Sequence, residues 1–94
     1  MNYHEFIETI DQKDPPDLSP LLTALWHDKN DDWENAHGIA QEVNSEDGYW
    51  VHAYLHRKEG DIWNADYWYS RAGKKRPNVD LDAEWEAIVM ALLS

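Results

Sequence analysis

Residues 56–73 read HRKEGDIWNADYWYSRAG, and a fainter copy, HDKNDDWENAHGIAQEVN, stands twenty-nine positions earlier at residues 27–44. Laying residues 24–44 on 53–73 matches Ala24 with Ala53, His27 with His56 and Lys29 with Lys58. It also matches Asp32 with Asp61, Asn35 with Asn64 and Ala36 with Ala65. Each copy holds a helical run, a break, an aspartate able to cap, and a second helical run. Two short antiparallel helices joined by a tight turn make an αα-hairpin. One hairpin cannot bury its apolar face alone, so the second copy stacks on it. The repeat predicts an all-α fold.

The flanking sequence extends this reading. Tyr3, Phe6, Ile7 and Ile10 recur at helical spacing, which predicts a first helix over 2–13. DPPDLSP at 14–20 breaks it, and Ser19 followed by Pro20 opens a second helix running to Lys29. Asp32 caps a third helix over 33–43, and NSEDG at 44–48 separates it from a fourth over 49–59. Gly60 ends the fourth helix, Asp61 caps a fifth over 62–72, and Gly73 ends that one. Lys74, Lys75 and Arg76 follow where cations favour a helix C-terminus. A sixth helix over 82–93 carries the stripe Leu81, Trp85, Ile88 and Leu92. No segment alternates as a strand does. The whole chain, 1–94, reads as one domain with two tandem hairpins and covering helices at both ends.

With 94 residues, six tryptophans and five tyrosines, the chain has the aromatic bulk to build a core despite its charge. Nineteen acidic and eight basic residues give a formal charge of −11. That balance predicts no nucleic-acid partner and no anionic membrane surface, neither of which exchanges counterions for an acidic face. The absence of cysteine excludes disulfides and thiolate metal sites. Glu5 and Glu8 occupy the start where a secretion signal is positive, and AIVMALL at 87–93 is too short to span a bilayer. A cytoplasmic protein is expected.

Residues 46–79 resemble a tetratricopeptide repeat: Tyr49, Ala53, Gly60, Asp61, Ala65, Tyr69, Ala72 and Pro77 stand at the spacing of that pattern. The run LHRKEGD…NADYWYSRAG also resembles small bacterial proteins, a likeness that implies no mechanism. The tetratricopeptide resemblance implies helical pairing and a protein-binding role. The first copy departs from the pattern, and two units are fewer than such arrays normally contain, so a compact bundle is expected rather than an open superhelical groove. On the face that the family turns toward its groove lie Trp50, Tyr54 and Arg57, with Lys58 beside them and Lys29 from the second helix. An aromatic and basic patch on an acidic protein suits an acidic peptide or a protein partner. The sixth helix is the other candidate to cover it. AIVMALL offers a second surface, through which the chain could form a homodimer.

Chemistry-bearing clusters are sparse. His52 and His56 lie four apart on one helix, the spacing at which two imidazoles share a metal, with His27 or His37 as a third ligand and Asp61 nearby. The plainer reading makes His52 and His56 hydrogen-bonded core residues, His27 repeating His56. Asn35 and Asn64 are read as bonding the turns. Asp31, Asp32, Glu84 and Glu86 are read as solvated or helix-start charges. No phosphate loop or nucleophilic triad is present. The sequence thus predicts a non-enzymatic interaction module without cofactor, the alternative being a small metal-dependent enzyme or ligand-binding protein built on the histidines.

Overall fold

The computed structural model describes residues 1–94 and is all-helical. Six helices follow in order: α1 (Tyr3–Glu8), α2 (Pro20–Lys29), α3 (Trp33–Ala40), α4 (Glu46–Lys58), α5 (Ile62–Arg71) and α6 (Leu81–Leu93). α2 packs on α3 and α4 on α5, and α3 joins the two pairs by packing against α4. α6 lies across α2 and α4 and also touches α1. α5 packs its backbone on α4 and reaches α6 through the Tyr69 hydroxyl, which donates to Glu84.

The sequence repeat is a geometric repeat. Asp32 N–H bonds the His27 carbonyl at 2.9 Å, and Asp61 N–H bonds the His56 carbonyl at 3.0 Å. Both aspartates then cap the next helix, accepting from the backbone of Asn35 and Asn64 respectively. The Asn35 and Asn64 amides return to the same carboxylates, so both asparagines serve the turns. Between helices the chain needs one residue in the left-handed region. Gly60 takes it at φ 89° in the second copy, and Asp31, its counterpart, takes it at φ 62° in the first. The four repeated alanines, Ala24, Ala36, Ala53 and Ala65, have no exposed surface, which lets paired backbones approach closely.

The larger core gathers Phe6, Leu25, Val51, Leu55, Trp85, Ile88 and Val89 with their neighbours. Trp85 anchors α6, donating from Nε1 to the Leu25 carbonyl at 3.2 Å while Lys29 Nζ sits 4.6 Å from its ring centre. Ile88 and Val89 are fully buried, so of the AIVMALL segment Met90 is the large side chain left open, at 53 % exposure.

α3 ends at Ala40 rather than residue 43, and three other boundaries differ from expectation for local reasons. α1 ends at Glu8 rather than residue 13, because Thr9 turns its hydroxyl to the Phe6 carbonyl at 2.7 Å. The Thr9 carbonyl accepts from Trp26 Nε1 at 3.0 Å and from Gln12 N–H, a turn bond three residues on rather than an α-helical one. α4 begins at Glu46 rather than Tyr49, because Ser45 Oγ accepts from Gly48 N–H and caps it. α6 starts at Leu81, one residue early, behind the cap Asp80.

Candidate functional site

The basic and aromatic face expected to receive a partner is closed by the chain's own acids. Trp50 Nε1 donates to Glu84 Oε2 at 3.2 Å, and Arg57 Nη1 to Glu84 Oε1 at 2.8 Å. Arg57 also donates to the Val79 carbonyl. Tyr54 Oη donates to Asp28 Oδ2 at 3.0 Å, Lys58 Nζ lies 2.8 Å from Asp28 Oδ1, and Lys29 Nζ lies 3.7 Å from Asp82. Tyr54 is 2 % exposed, and Asp28 and Glu84 are each 1 % exposed. Each of the five residues therefore has an internal acidic partner, supplied by α2 or α6. A peptide could reach Tyr54 only by displacing one of those helices.

Glu84 lies in the first turn of α6, as a helix-start charge does, but it is buried rather than solvated. Its carboxylate accepts from Trp50, Arg57 and Tyr69, the last at 2.6 and 2.7 Å to its two oxygens. Burial, reinforced by the adjacent Glu84, raises the Tyr69 phenol's pKa, and burial with Asp28 does the same for Tyr54. Both phenols stay protonated donors throughout the ordinary pH range.

A different cluster forms where the first hairpin meets the second. His37 on α3 points Nε2 at Nε2 of His52 on α4, 3.0 Å away. His56, one turn further along α4, stacks near His52 with ring centres 4.8 Å apart. One ligand nitrogen from each of the three rings lies within 4.8 Å of the others. Tryptophans wall the cluster. Trp33 stacks on His37 at 4.7 Å and 10°, and Trp68 stacks on His52 at 4.1 Å and 19°. Trp33 is itself fixed by a 2.8 Å bond to the Leu55 carbonyl, and His56 Nδ1 meets Glu59 Oε1 at 2.6 Å.

Of the two candidate third ligands, His37 is in this group and His27 is not; the His27 ring packs edge-on against Trp26. His56, Glu59 and Asp61 also approach one another, but Asp61 already caps α5 and bonds Asn64 with its two oxygens.

Burial first, then the neighbouring His37 and His56, pushes His52 down to about 4, and burial with His56 lowers His37. Both rings are neutral at pH 7, with lone pairs available. The groups facing His52 are His37 from α3, His56 from its own helix and the uncharged Trp68 from α5, with Glu59 beyond His56. An unfolded histidine titrates near 6.5, so between about 6.5 and 4 the unfolded chain binds the extra proton. Stability present above 6.5 is therefore lost as the pH falls through that window. In chelator-treated protein the loss is expected to be about 2 kcal/mol, after discounting for partial hydration of the ring. Urea melts between pH 7 and 4 would measure it, and an undiminished slope in His52→Gln would refute the assignment.

The remaining conspicuous surface lies on α5. Trp63 is 82 % exposed and Tyr67 49 %, and the two stand one helical turn apart on α5. Arg71, a further turn on, bonds the Tyr67 and Tyr49 hydroxyls and overlies the Tyr49 ring at 4.8 Å. A cleft lined by Asp66, Ser70, Lys74, Lys75 and Arg76 opens at the end of this helix. Sequence periodicity alone did not single out Trp63, since an aromatic residue in a short helix reads first as core. No helix is long and apolar enough to cross a membrane. Compared with models of protein families, with curated proteins and with solved structures, the chain is similar to none.

Proposed function

We propose that this chain is a non-enzymatic protein-interaction module of tetratricopeptide-like hairpins, working in the cytoplasm, that docks an acidic protein segment on the outer face of α5. The observation that carries this reading is the exposure of Trp63 and Tyr67 on an outer helix of the molecule, packed mainly on α4. Exposed aromatics with an adjacent arginine are the residue types that anchor interfaces. The charge pattern selects the partner. Arg71, Lys74, Lys75 and Arg76 supply half of the eight basic residues and follow Tyr67 along one end of the molecule. A short acidic segment can be drawn there, whereas a homodimer would bring together two chains of formal charge −11 each.

The face built of Trp50, Tyr54, Arg57, Lys58 and Lys29 contributes differently. Its acids are internal, so it holds α2, α4 and α6 together and presents α5 as a firm edge.

Selection of acidic peptides from a displayed library on immobilised protein, followed by titration, provides the test. Trp63→Ala combined with Tyr67→Ala is expected to weaken the selected peptides by at least about 30-fold, as loss of a two-residue hot spot does. The melting temperature should stay within a few degrees, since neither side chain is buried. Peptides that bind the double variant equally well, or a library that yields none above background, would overturn the reading.

A further inference from the structure

We infer that His37, His52 and His56 form a binding site for one borderline divalent metal ion, with zinc as the fitting class, bridging the two hairpins across the α3–α4 contact. The inference stands apart from the docking face on α5 and does not depend on it.

Geometry carries it. A tetrahedral zinc ion with ligand nitrogens at about 2.0–2.1 Å holds those nitrogens about 3.3 Å from one another. His37 Nε2 and His52 Nε2 are already 3.0 Å apart, and the third nitrogen lies within 4.8 Å of both. Small rotations of the rings bring all three to a common centre. Those rings do not roam, because Trp33 and Trp68 stack on two of them and Glu59 holds the third. A site whose ligands are set before the ion arrives loses little side-chain entropy on binding.

The bonding pattern points the same way. His56 uses Nδ1 toward Glu59, which fixes its tautomer and leaves Nε2 as its free nitrogen. A carboxylate behind a ligating imidazole is the usual outer partner of a metal-bound histidine. The contact between His37 and His52 joins two like nitrogens, so one proton must be shared between two acceptors. A metal ion replaces that proton and satisfies both lone pairs together. Burial and mutual proximity keep His37 and His52 neutral at pH 7, so at these two rings the exchange needs no charge removed first.

The donor set decides the chemical class. Three imidazoles with no thiolate suit zinc, copper or nickel and discriminate against magnesium and calcium, which require oxygen ligands. His52 and His56 are buried while His37 is half-buried, so approach is from the His37 side, and a fourth position there can take water or an oxygen ligand from outside.

The experiment uses untagged full-length protein, stripped with chelator and dialysed, then titrated with zinc chloride in competition with a chromophoric chelator. One zinc ion per chain is expected, together with a melting temperature that rises with zinc. Glu59→Gln should weaken binding about 10- to 100-fold, and His37→Ala at least as much, while His27→Ala should leave it unchanged. His37 is the variant of choice because its half-buried ring can be removed with the fold retained, which circular dichroism confirms before titration. Cobalt substitution supplies a second readout, because the absorption of a four-coordinate nitrogen site should appear in the wild type and vanish in His37→Ala. Absence of stoichiometric zinc binding would overturn the inference. So would zinc binding of equal strength in His37→Ala, which would place the ion on surface carboxylates.

Discussion

Glu84→Ala is expected to lower the free energy of unfolding by about 3–5 kcal/mol. Against a total of about 5–15 kcal/mol for a domain of this size, that is a large share. The carboxylate is 1 % exposed and accepts from three donors on two helices: Trp50 and Arg57 of α4, and Tyr69 of α5. Removing it leaves a half-buried guanidinium without its ion pair and a buried phenol without an acceptor. Unpaired partners cost more than the pair itself gains. The melting temperature should fall by at least about 12 °C. Glu84→Gln should lie between, since the amide oxygen still serves Tyr69 while the amide nitrogen opposes Arg57. Replacing both partners, Glu84→Met with Arg57→Met, should recover part of the loss. A fall below about 1 kcal/mol in urea unfolding of Glu84→Ala would show that water substitutes for the carboxylate, and would sink the assignment of Glu84 as the clasp of α6.

The same residue shows what the sequence could and could not disclose. The number and order of the helices follow from caps and breaks, which are local: Asp32, Asp61, Gly60 and Pro20 act on their immediate neighbours. The closure of the Trp50 face is not local. It depends on Glu84, twenty-seven positions beyond Arg57, arriving on α6 at the required height. A charged residue flanked by Ala83 and Trp85 in an acidic chain gives no sign that it will be buried. The resemblance to tetratricopeptide units marked Trp50, Tyr54, Arg57, Lys58 and Lys29 as a set, and they are a set, but their partners lie inside the chain.

The choice between His27 and His37 was illegible for a different reason. Repeat logic favours positions that are alike in both copies, which put His27 beside His56. The cluster instead forms where one hairpin abuts the other, and there the copies differ. His37 corresponds to Asp66 in the second copy, and His52 to Thr23 in the first. A junction between repeats exists once in a two-unit chain, so nothing in either unit has to be repeated to build it. The spacing of His52 and His56 was readable on one helix; the arrival of His37 from α3 required the packing of α3 on α4.

Gly48 sets that packing, and its replacement gives the second large effect. A Cβ built on Gly48 would lie 2.0 Å from the Val43 carbonyl oxygen and 2.9 Å from its carbon. These are backbone atoms, which cannot swing aside as a side chain can. Overpacking in Gly48→Ala therefore costs about 3 kcal/mol, the upper end for a tight contact, for a net destabilisation of about 2 kcal/mol. Helix propensity acts in the opposite direction, by about 1 kcal/mol at most, and loses. Gly38 provides the contrast, for it too lies in a helix but an added Cβ meets nothing within 4 Å. There only propensity operates, and Gly38→Ala should gain about 0.5–1 kcal/mol. Gly48, His52 and His56 occupy successive turns of one face of α4, so relief of the clash must move that face away from the α3 connection. The His37–His52 contact at 3.0 Å should open first. In Gly48→Ala, zinc affinity should then fall even under conditions where the variant is fully folded, whereas Gly38→Ala should keep it. Equal unfolding midpoints for the two alanine variants would mean that the Val43 segment yields freely, and would refute a rigid seam between the hairpins.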